Sequence, residues 1–313
     1  MNIEENVSLK KYSNFDIGGE ARYFLRVITI DEFKKGLFNW KQINKINHKP
    51  SFVLGSGTNI LISDNGYDGL VIYNNIQGIK IEGDFLKVGS GVLASELLDY
   101  CLKHSLSGFE WAGGLPGTIG GAIRGNAGAF KGEIKDSIIE VKSIDRDTLE
   151  EKTRKNIDCN FSYRDSVFKS GDAINEIITE AIFSFKKGMS DEIKKKIEEK
   201  IKYRKEKNPW EYPSIGSTFK NISIDKVPEE LKNQFKEKIK TDPIPVLSAA
   251  RFINLAGLKG IKIGNAQFSE KHPNFIVNLG NAKAKDVRAL IDLAKVKVKE
   301  KFNIDLEEEV SYL

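Results

Sequence analysis

The most distinctive part of this chain is one glycine-rich stretch, WAGGLPGTIGGAIRGNAG, which runs from Trp111 to Gly128. Nine of the 27 glycines lie between Gly108 and Gly132, where average usage would place about two. Glycine weakens helices and strands, so this density indicates positive φ angles or a close approach of the backbone to another group. Two interpretations stay open at this point: a tightly packed loop, or a cradle of backbone N–H groups that binds a pyrophosphate without lysines.

A second, smaller glycine motif, LGSGTN, lies upstream at Leu54–Asn59, at the end of a predicted strand. Its N–H groups could converge on a phosphate, although the motif could equally be a structural turn. It is not the dinucleotide fingerprint GxGxxG, because Ile60 stands where the third glycine is needed. The later stretch lacks the GxxxxGK[ST] spacing of a P-loop. Two cradles roughly 60 residues apart suggest one large dinucleotide.

Composition excludes several classes of protein. The 313 residues include 49 Lys+Arg and 44 Asp+Glu, and the net charge of +5 is too diffuse to indicate nucleic acid or an anionic membrane. With only Cys101, Cys159 and three scattered histidines, we predict neither a disulfide scaffold nor a bound metal. The N-terminus resembles no signal peptide and no apolar run reaches about 18 residues, so we predict a cytoplasmic protein without membrane insertion.

Two further motifs bring charged side chains together. In FSYRDS, Phe161–Ser166, the guanidinium of Arg164 could stack on a ring or clamp a carboxylate, or it could form a surface ion pair with Asp165. In LEEEV, Leu306–Val310, three successive carboxylates are typical of a solvated tail. A return of the chain that buried one of them would change that interpretation.

A serine lies in a loop rich in proline and glycine. The segment Pro213–Asn221 places Ser217 directly after a glycine, where it could be a nucleophile, a proton donor or a turn former. The nucleophile-elbow pattern GxSxG is not matched, since its glycine positions hold Ile215 and Phe219. The sequence therefore disfavours a catalytic triad at this serine.

Taken in order, these motifs resemble one family, the UDP-N-acetylenolpyruvoylglucosamine reductases of bacterial peptidoglycan synthesis. The resemblance extends from about residue 14 to residue 310. Its most specific parts are GSGTN at 55–59, AGGLPGTIGGA at 112–122 with NAGAF at 126–130, YRDS at 163–166, GSTFKN at 216–221 and LEEEV at 306–310. Each motif is weak alone, whereas five in register are specific.

The resemblance implies an α+β fold. We expect an FAD-binding domain of the vanillyl-alcohol-oxidase type in two subdomains, residues 1–75 and 76–200, and an α+β substrate-binding domain at 201–313, with the segment near 304–313 returning to the active site. FAD would be bound non-covalently, since neither glycine motif contains His or Cys. The cofactor-binding residues implied are Gly55, Ser56, Gly57, Thr58, Asn59, Gly113, Gly114, Pro116, Gly117, Thr118, Gly121, Asn126, Ala127, Gly128 and Arg204.

The activity implied is NADPH-dependent, FAD-mediated reduction of the enolpyruvyl double bond of UDP-N-acetylglucosamine enolpyruvate to UDP-N-acetylmuramate. The family's proton-donating serine, its arginine and its C-terminal glutamate match Ser217, Arg164 and Glu309. The implied substrate contacts are Lys207, Asn221 and Tyr163. Ser217 follows Arg164 by only 53 positions, which resembles the family's shorter type without an inserted tyrosine-bearing loop. We expect a monomer whose partners are the UDP-sugar and NADPH.

Some positions depart from the family pattern, and two other functions stay open. Ser311 stands where an arginine is common in the family, and Arg124 stands where an apolar residue is usual. His272 could contact substrate or be a structural loop histidine. A flavin oxidase of the same cofactor fold is one alternative, opposed by GSTFKN and LEEEV. A non-catalytic flavin- or nucleotide-sugar-binding regulator is the other, opposed by the joint presence of the three catalytic positions.

Overall fold

A computed structural model describes residues 3–46, 48–241 and 243–313, and the chain divides into two compact units. The first unit contains the segment ending at Val7, Ala21–Ser56 and Asp68–Arg204; the second contains Ser8–Glu20, Gly57–Tyr67 and Lys205–Leu313. Each unit is thus assembled from three separate stretches, and the first glycine motif is divided after Ser56. The three consecutive domains expected from the sequence stay a prediction.

The described residues contain eight α-helices. They are α1 (Ile30–Ile43), α2 (Ala94–Lys103), α3 (Ile119–Arg124), α4 (Val167–Ser170), α5 (Ser190–Lys207), α6 (Glu229–Gln234), α7 (Ala249–Leu255) and α8 (Ala284–Phe302). Helix α1 begins where Thr29 Oγ1 accepts a hydrogen bond from the Glu32 N–H at 3.1 Å, and such a cap satisfies a free backbone donor.

The first unit is built on two sheets. In spatial order, one consists of Glu4–Ser8, Glu20–Val27, Tyr67–Asn74 and Ser51–Leu54, and the other of Glu151–Lys155, Ile138–Asp145, Glu176–Ser184, Phe85–Gly89 and Ile79–Glu82. Two short pairs accompany them, Gly128–Ala129 with Gly132–Glu133 and Leu106–Ser107 with Lys186–Lys187. The five-stranded sheet is antiparallel throughout, whereas Ser51–Leu54 runs parallel to its neighbour.

Two apolar clusters form the core of this unit. Phe33, Leu37 and Trp40 recur at helical spacing on α1 and pack with buried strand residues such as Leu25 and Ile72. The larger cluster joins α2, α3 and the five-stranded sheet, and it includes both cysteines as free, buried thiols. The glycine-rich stretch is therefore carried on a closely packed base.

The second unit has one antiparallel sheet and three helices. The sheet order is Ser214–Ser217, Phe275–Asn278, Ala266–Phe268 and Lys262–Ile263. Two short pairs complete the strands, Ile222–Ser223 with Val246–Leu247 and Ser311–Tyr312 with Ile60–Leu61. Helix α8 buries one apolar stripe, which includes Val287, Leu290 and Ala294, in the core of this unit.

Neither a membrane span nor a metal-binding cluster was found in the part of the chain that the structure describes. None of its helices combines the length and the apolar character needed to cross a bilayer. Within the same residues, no three His, Cys, Asp or Glu side chains are grouped in a way that could hold a metal ion.

Candidate active site

The first unit brings the two glycine motifs into contact. Gly55 follows the strand Ser51–Leu54, and a Cβ built at Gly55 would lie only 2.7 Å from Thr118 Oγ1. Because that distance is shorter than real Cβ contacts allow, only glycine fits without a shift. Thr118 also begins α3, where its Oγ1 accepts a hydrogen bond from the Gly121 N–H at 3.3 Å. Two loops about 60 residues apart in sequence thus form one surface.

Several buried polar atoms near these motifs have no hydrogen-bond partner among the described residues. They are Ser56 Oγ of the first motif, Asn126 Oδ1 of the second, and Nε and Nη2 of Arg204 on α5. Buried polar groups in native proteins are almost always hydrogen-bonded. A hydroxyl, an amide oxygen and a guanidinium left unsatisfied in one unit fit a large polar ligand such as FAD, which carries both donors and acceptors.

The Arg204 guanidinium lies in a cationic environment. It lies 5.3 Å from the centre of the Phe130 ring. Burial, together with the neighbouring positive charge of Arg164, lowers the pKa of Arg204 to about 10. A guanidinium that is desolvated and repelled by a second one favours an anionic or electron-rich partner.

Arg164 lies at the corner of a tight turn. Its φ is +60°, and the turn is closed by backbone hydrogen bonds from Ser162 N–H to Asp165 O at 3.1 Å and from Asp165 N–H to Ser162 O at 3.2 Å. Its Nη2 donates to the Gly128 carbonyl at 2.9 Å, and its guanidinium lies 5.4 Å from the Tyr163 ring centre. A left-handed conformation costs a non-glycine residue about 1–2 kcal/mol, and such strain is concentrated at functional sites.

In the second unit, Ser217 ends the strand Ser214–Ser217 at an irregularity. Gly216 has a φ of +81°, and the register against Phe275–Asn278 shifts between Ser214 and Ser217. Bulges of this kind redirect a side chain away from the regular alternation of a strand. Ser217, a half-buried residue, is therefore positioned by a bulge in the sheet.

The C-terminal segment returns to this strand and brings Glu309 with it. The Glu309 N–H donates to the Thr218 carbonyl at 2.9 Å, directly after Ser217. On its other side, Asn59 Nδ2 donates to the Glu309 carbonyl at 3.1 Å, and Ser311–Tyr312 runs parallel to Ile60–Leu61. Within the second unit, the backbones of Ser217, Asn59 and Glu309 thus lie on neighbouring segments.

Two family models match separate parts of this chain. Residues 40–151 match the model of an FAD binding domain, and residues 208–313 match that of the UDP-N-acetylenolpyruvoylglucosamine reductase, C-terminal domain. The reductase of Clostridium novyi is 38% identical over 98% of this chain and 91% of its own length, and that of Caldanaerobacter subterraneus is 37% identical over 97% and 91%. The chain belongs to the UDP-N-acetylenolpyruvoylglucosamine reductase family.

A solved structure confirms the fold class for this family member. The crystal structure of the reductase from Thermus caldophilus superposes on this chain with a TM-score of 0.76. The match includes 100% of this chain and 99% of the Thermus chain, at 30% sequence identity. The α+β class, with an FAD-binding domain followed by the C-terminal domain of the reductases, is therefore as predicted.

One carboxylate of this family member was missed by sequence reasoning. Glu308 has a side chain only 14% exposed, and it is bound by Lys295 and Arg288 of α8 and by the Tyr312 hydroxyl. Burial opposes its ionisation, yet the hydrogen bonds from Lys295 and Tyr312 outweigh burial and lower the pKa of Glu308. Successive side chains of an extended segment point to opposite faces. Glu308 therefore faces the core with Leu306 and Val310, and Glu309 faces the other way.

Three other predicted site residues have close structural neighbours, and a fourth, Lys207, is exposed. Asn221 Oδ1 accepts from the Ala249 N–H at 3.3 Å at the start of α7. Lys207 is exposed at the end of α5. The Asn126 amide donates to Glu133 Oε1 at 3.0 Å and to the Ser162 carbonyl at 2.8 Å. A Cβ at Gly113 would lie 2.9 Å from the Ile197 carbonyl.

Three residues whose roles stayed open also have defined surroundings. The His272 ring packs edge-on against Phe275 at 4.9 Å, and burial lowers its pKa. Arg124 is exposed, while its carbonyl accepts a hydrogen bond from Ser166 Oγ at 2.7 Å. The Ser311 N–H donates to the Asn59 carbonyl at 3.1 Å. Ser311 therefore contributes its backbone to the ladder that holds the C-terminal strand.

We expect Arg204→Met to raise the melting temperature of the flavin-free protein while weakening flavin binding. A buried polar group without a partner costs about 1–3 kcal/mol, and methionine can pack on Phe130 without that cost. Thermal unfolding of the flavin-free protein and flavin titration measure the two effects. Arg154→Met is the control, because Arg154 Nη2 is paired with Glu176 Oε1 at 2.7 Å. Loss of this pair should lower the melting temperature of the protein. A lower melting temperature for Arg204→Met would contradict the prediction.

Proposed function

We propose that this chain is an FAD-dependent oxidoreductase that uses NADPH to reduce the enolpyruvyl double bond of UDP-N-acetylglucosamine enolpyruvate, giving UDP-N-acetylmuramate for peptidoglycan synthesis. The observation that carries this conclusion is the presence, in one chain, of an FAD-binding domain and the reductases' own C-terminal domain. The second of these domains favours the reductase over a flavin oxidase built on the same cofactor fold.

The first unit supplies groups that fit FAD. The unsatisfied Ser56 Oγ, Asn126 Oδ1 and Arg204 guanidinium, with the contact of Gly55 and Thr118, support the cofactor site predicted from the sequence. When bound, FAD supplies hydride exchange between the nicotinamide and the carbon–carbon double bond. The protein contributes binding, orientation and a defined electrostatic environment.

We assign Arg164 to the substrate carboxylate. Hydride addition to the double bond moves negative charge onto that carboxylate, and a fixed guanidinium stabilises the charge as it develops. The strained turn and the hydrogen bond to the Gly128 carbonyl support this role, because they hold the side chain in place before substrate binds. Preorganised groups of this kind lower a barrier by about 3–4 kcal/mol.

We assign Ser217 as the proton donor and Glu309 as a residue that acts at the substrate carboxylate. Ser217 protonates the carbon next to the carboxylate; a hydroxyl is a weak acid, but the carbanion is a strong base. Glu309 acts on the substrate carboxylate through a hydrogen-bonded neighbour, since two carboxylates in direct contact would repel each other. The backbone hydrogen bond from Glu309 N–H to Thr218 O supports their joint action.

The decisive experiment follows the colour of the purified protein. We expect a yellow protein that NADPH bleaches under anaerobic conditions and that UDP-N-acetylglucosamine enolpyruvate then recolours. An oxidase would be bleached by an alcohol substrate without NADPH and would regain its colour with O₂, and a regulator would bind flavin without turnover. Failure of the UDP-sugar to reoxidise the flavin would overturn the proposal.

Lys207→Ala is expected to raise the KM for the UDP-sugar about tenfold with little change in kcat. Lys207 is exposed at the end of α5, where an ammonium can bind a diphosphate in both the ground state and the transition state, and the loss of such uniform binding appears in KM. Lys202→Ala, another exposed lysine of α5, is the control and should leave KM unchanged. A fall in kcat at constant KM would remove Lys207 from this role.

We also propose that the protein works as a monomer in the cytoplasm, where NADPH and the UDP-sugar are its small-molecule partners. The family's soluble substrates support this location. Size-exclusion chromatography with light scattering would test the monomer, and a dimer mass would contradict it.

A further inference from the structure

The turn that carries Arg164 is supported by a buried carboxylate outside the predicted motifs. Glu133 lies on the short strand Gly132–Glu133, and its side chain is only 7% exposed. Its Oε1 accepts a hydrogen bond from Asn126 Nδ2 at 3.0 Å, and its Oε2 pairs with Lys135 Nζ at 2.8 Å. A buried charge is retained only with partners such as these.

Glu133 fixes the orientation of the Asn126 amide. An ionised carboxylate only accepts hydrogen bonds, so the Asn126 NH₂ group must face Glu133. The same nitrogen also donates to the Ser162 carbonyl at 2.8 Å, on the turn that carries Arg164. The Asn126 Oδ1 atom then points away, where it is buried without a hydrogen-bond partner among the described residues.

A second connection joins Glu133 to Arg164. Glu133 pairs with Gly128 in the antiparallel ladder, and the Gly128 carbonyl accepts the hydrogen bond from Arg164 Nη2 at 2.9 Å. One residue therefore supports both the backbone of the Arg164 turn, through Asn126, and the head of the Arg164 side chain, through Gly128. The φ of +60° at Arg164 persists only where its surroundings hold it from several sides.

We propose that Glu133 is a positioning residue for the reduction of the enolpyruvyl double bond, acting through Asn126 and Gly128 on Arg164. This inference rests on the proposed function, which assigns Arg164 to the substrate carboxylate. A glutamine at this position could donate to Asn126 Oδ1, which would allow the Asn126 amide to flip. The Ser162 carbonyl would then lose its donor, and the Arg164 turn would gain alternative conformations.

The test separates the two half-reactions of the flavin-loaded enzyme by anaerobic stopped-flow absorbance. For Glu133→Gln we expect flavin reduction by NADPH within about twofold of wild type. Reoxidation by the UDP-sugar should slow about 10- to 100-fold, the range seen when a group that orients a metal ligand is lost. Glu133→Asp keeps the buried charge but shortens the side chain, so a smaller slowing of the same step is expected. Equal reoxidation rates for wild type and both variants would overturn the inference.

Two further variants test whether Glu133 acts through Arg164. In an Arg164→Ala background, Glu133→Gln should slow reoxidation by less than about twofold more, because residues that act through one another are not additive. Glu176→Gln, which alters another buried carboxylate of the first unit, paired with Arg154, should leave the ratio of the two half-reactions unchanged. The role of Glu133 would be refuted if Glu133→Gln slowed reoxidation in the Arg164→Ala background as much as it does in wild type. It would also be refuted if Glu176→Gln selectively slowed reoxidation. Wild-type protein that is not reoxidised by the UDP-sugar would refute the proposed function instead.

Discussion

Replacing Ser217 with alanine is expected to slow reoxidation of the reduced flavin by the UDP-sugar about 10²- to 10⁴-fold, the range that proton transfer from a positioned side chain contributes. Reduction of the flavin by NADPH should stay within about twofold of wild type, because that step needs no proton from Ser217. The bulge at Gly216 and the half-buried position of Ser217 support such a specific role. Anaerobic stopped-flow absorbance measures both rates on the same sample.

Ser214→Ala provides the matched control for this prediction. Ser214 opens the same strand, and its carbonyl, which the substitution leaves in place, accepts a hydrogen bond from Asn14 Nδ2 at 2.7 Å. Both half-reactions should proceed at wild-type rates in this variant. If Ser217→Ala is reoxidised as fast as wild type, the proton comes from another group and the assignment of Ser217 is wrong.

The second large effect is expected for Gly57→Ala, which should destabilise the protein by about 3 kcal/mol or more and abolish retention of flavin. Gly57 has a φ of +65°, and a Cβ there would lie well inside contact distance of the Tyr12 carbonyl oxygen and 3.0 Å from Ser13 Cα. The left-handed conformation costs about 1–2 kcal/mol for alanine, and displacement of the neighbouring backbone adds about 1–3 kcal/mol. Urea unfolding and the visible absorbance of the purified variant measure both effects.

Gly83→Ala separates the cost of the conformation from the cost of the clash. Gly83 has almost the same φ, +63°, but a Cβ there would meet nothing within 4 Å. We expect a loss of only about 1–2 kcal/mol and a full complement of flavin. Equal effects of the two substitutions would mean that the close approach of Gly57 to Tyr12 does not matter.

The sequence alone was sufficient to predict those features of the protein that depend on a few neighbouring residues. The need for glycine at positive φ in both motifs is visible as a local excess, and the backbone angles of Gly57, Gly114 and Gly117 agree with it. The order of five motifs identified the family, because each motif is a contiguous run whose residue types and spacing can be compared directly. The α+β class and the FAD cofactor followed from that resemblance.

At the candidate site, local sequence did not predict the partners of the C-terminal carboxylates. The sequence placed three carboxylates in a row at the C-terminus, and the family resemblance selected Glu309. Only the structure shows that the Glu308 side chain pairs with Lys295 and Arg288. It also shows that the backbone of Glu309 is hydrogen-bonded to the Thr218 carbonyl and to the Asn59 side chain. Alternation along a strand assigns neighbouring residues to opposite faces but does not tell which face is buried.

By itself, the sequence determined the family, the cofactor class and the glycines that the loops require, since these depend on residue type and on spacing over a few positions. Only the tertiary structure decided that Gly55 touches Thr118, that Glu133 orients Asn126 beneath the Arg164 turn, and that each unit is assembled from three stretches of chain. Contacts between distant segments depend on strand register and side-chain packing. Neither is encoded in any short run of residues, because each is a property of all the packed elements together.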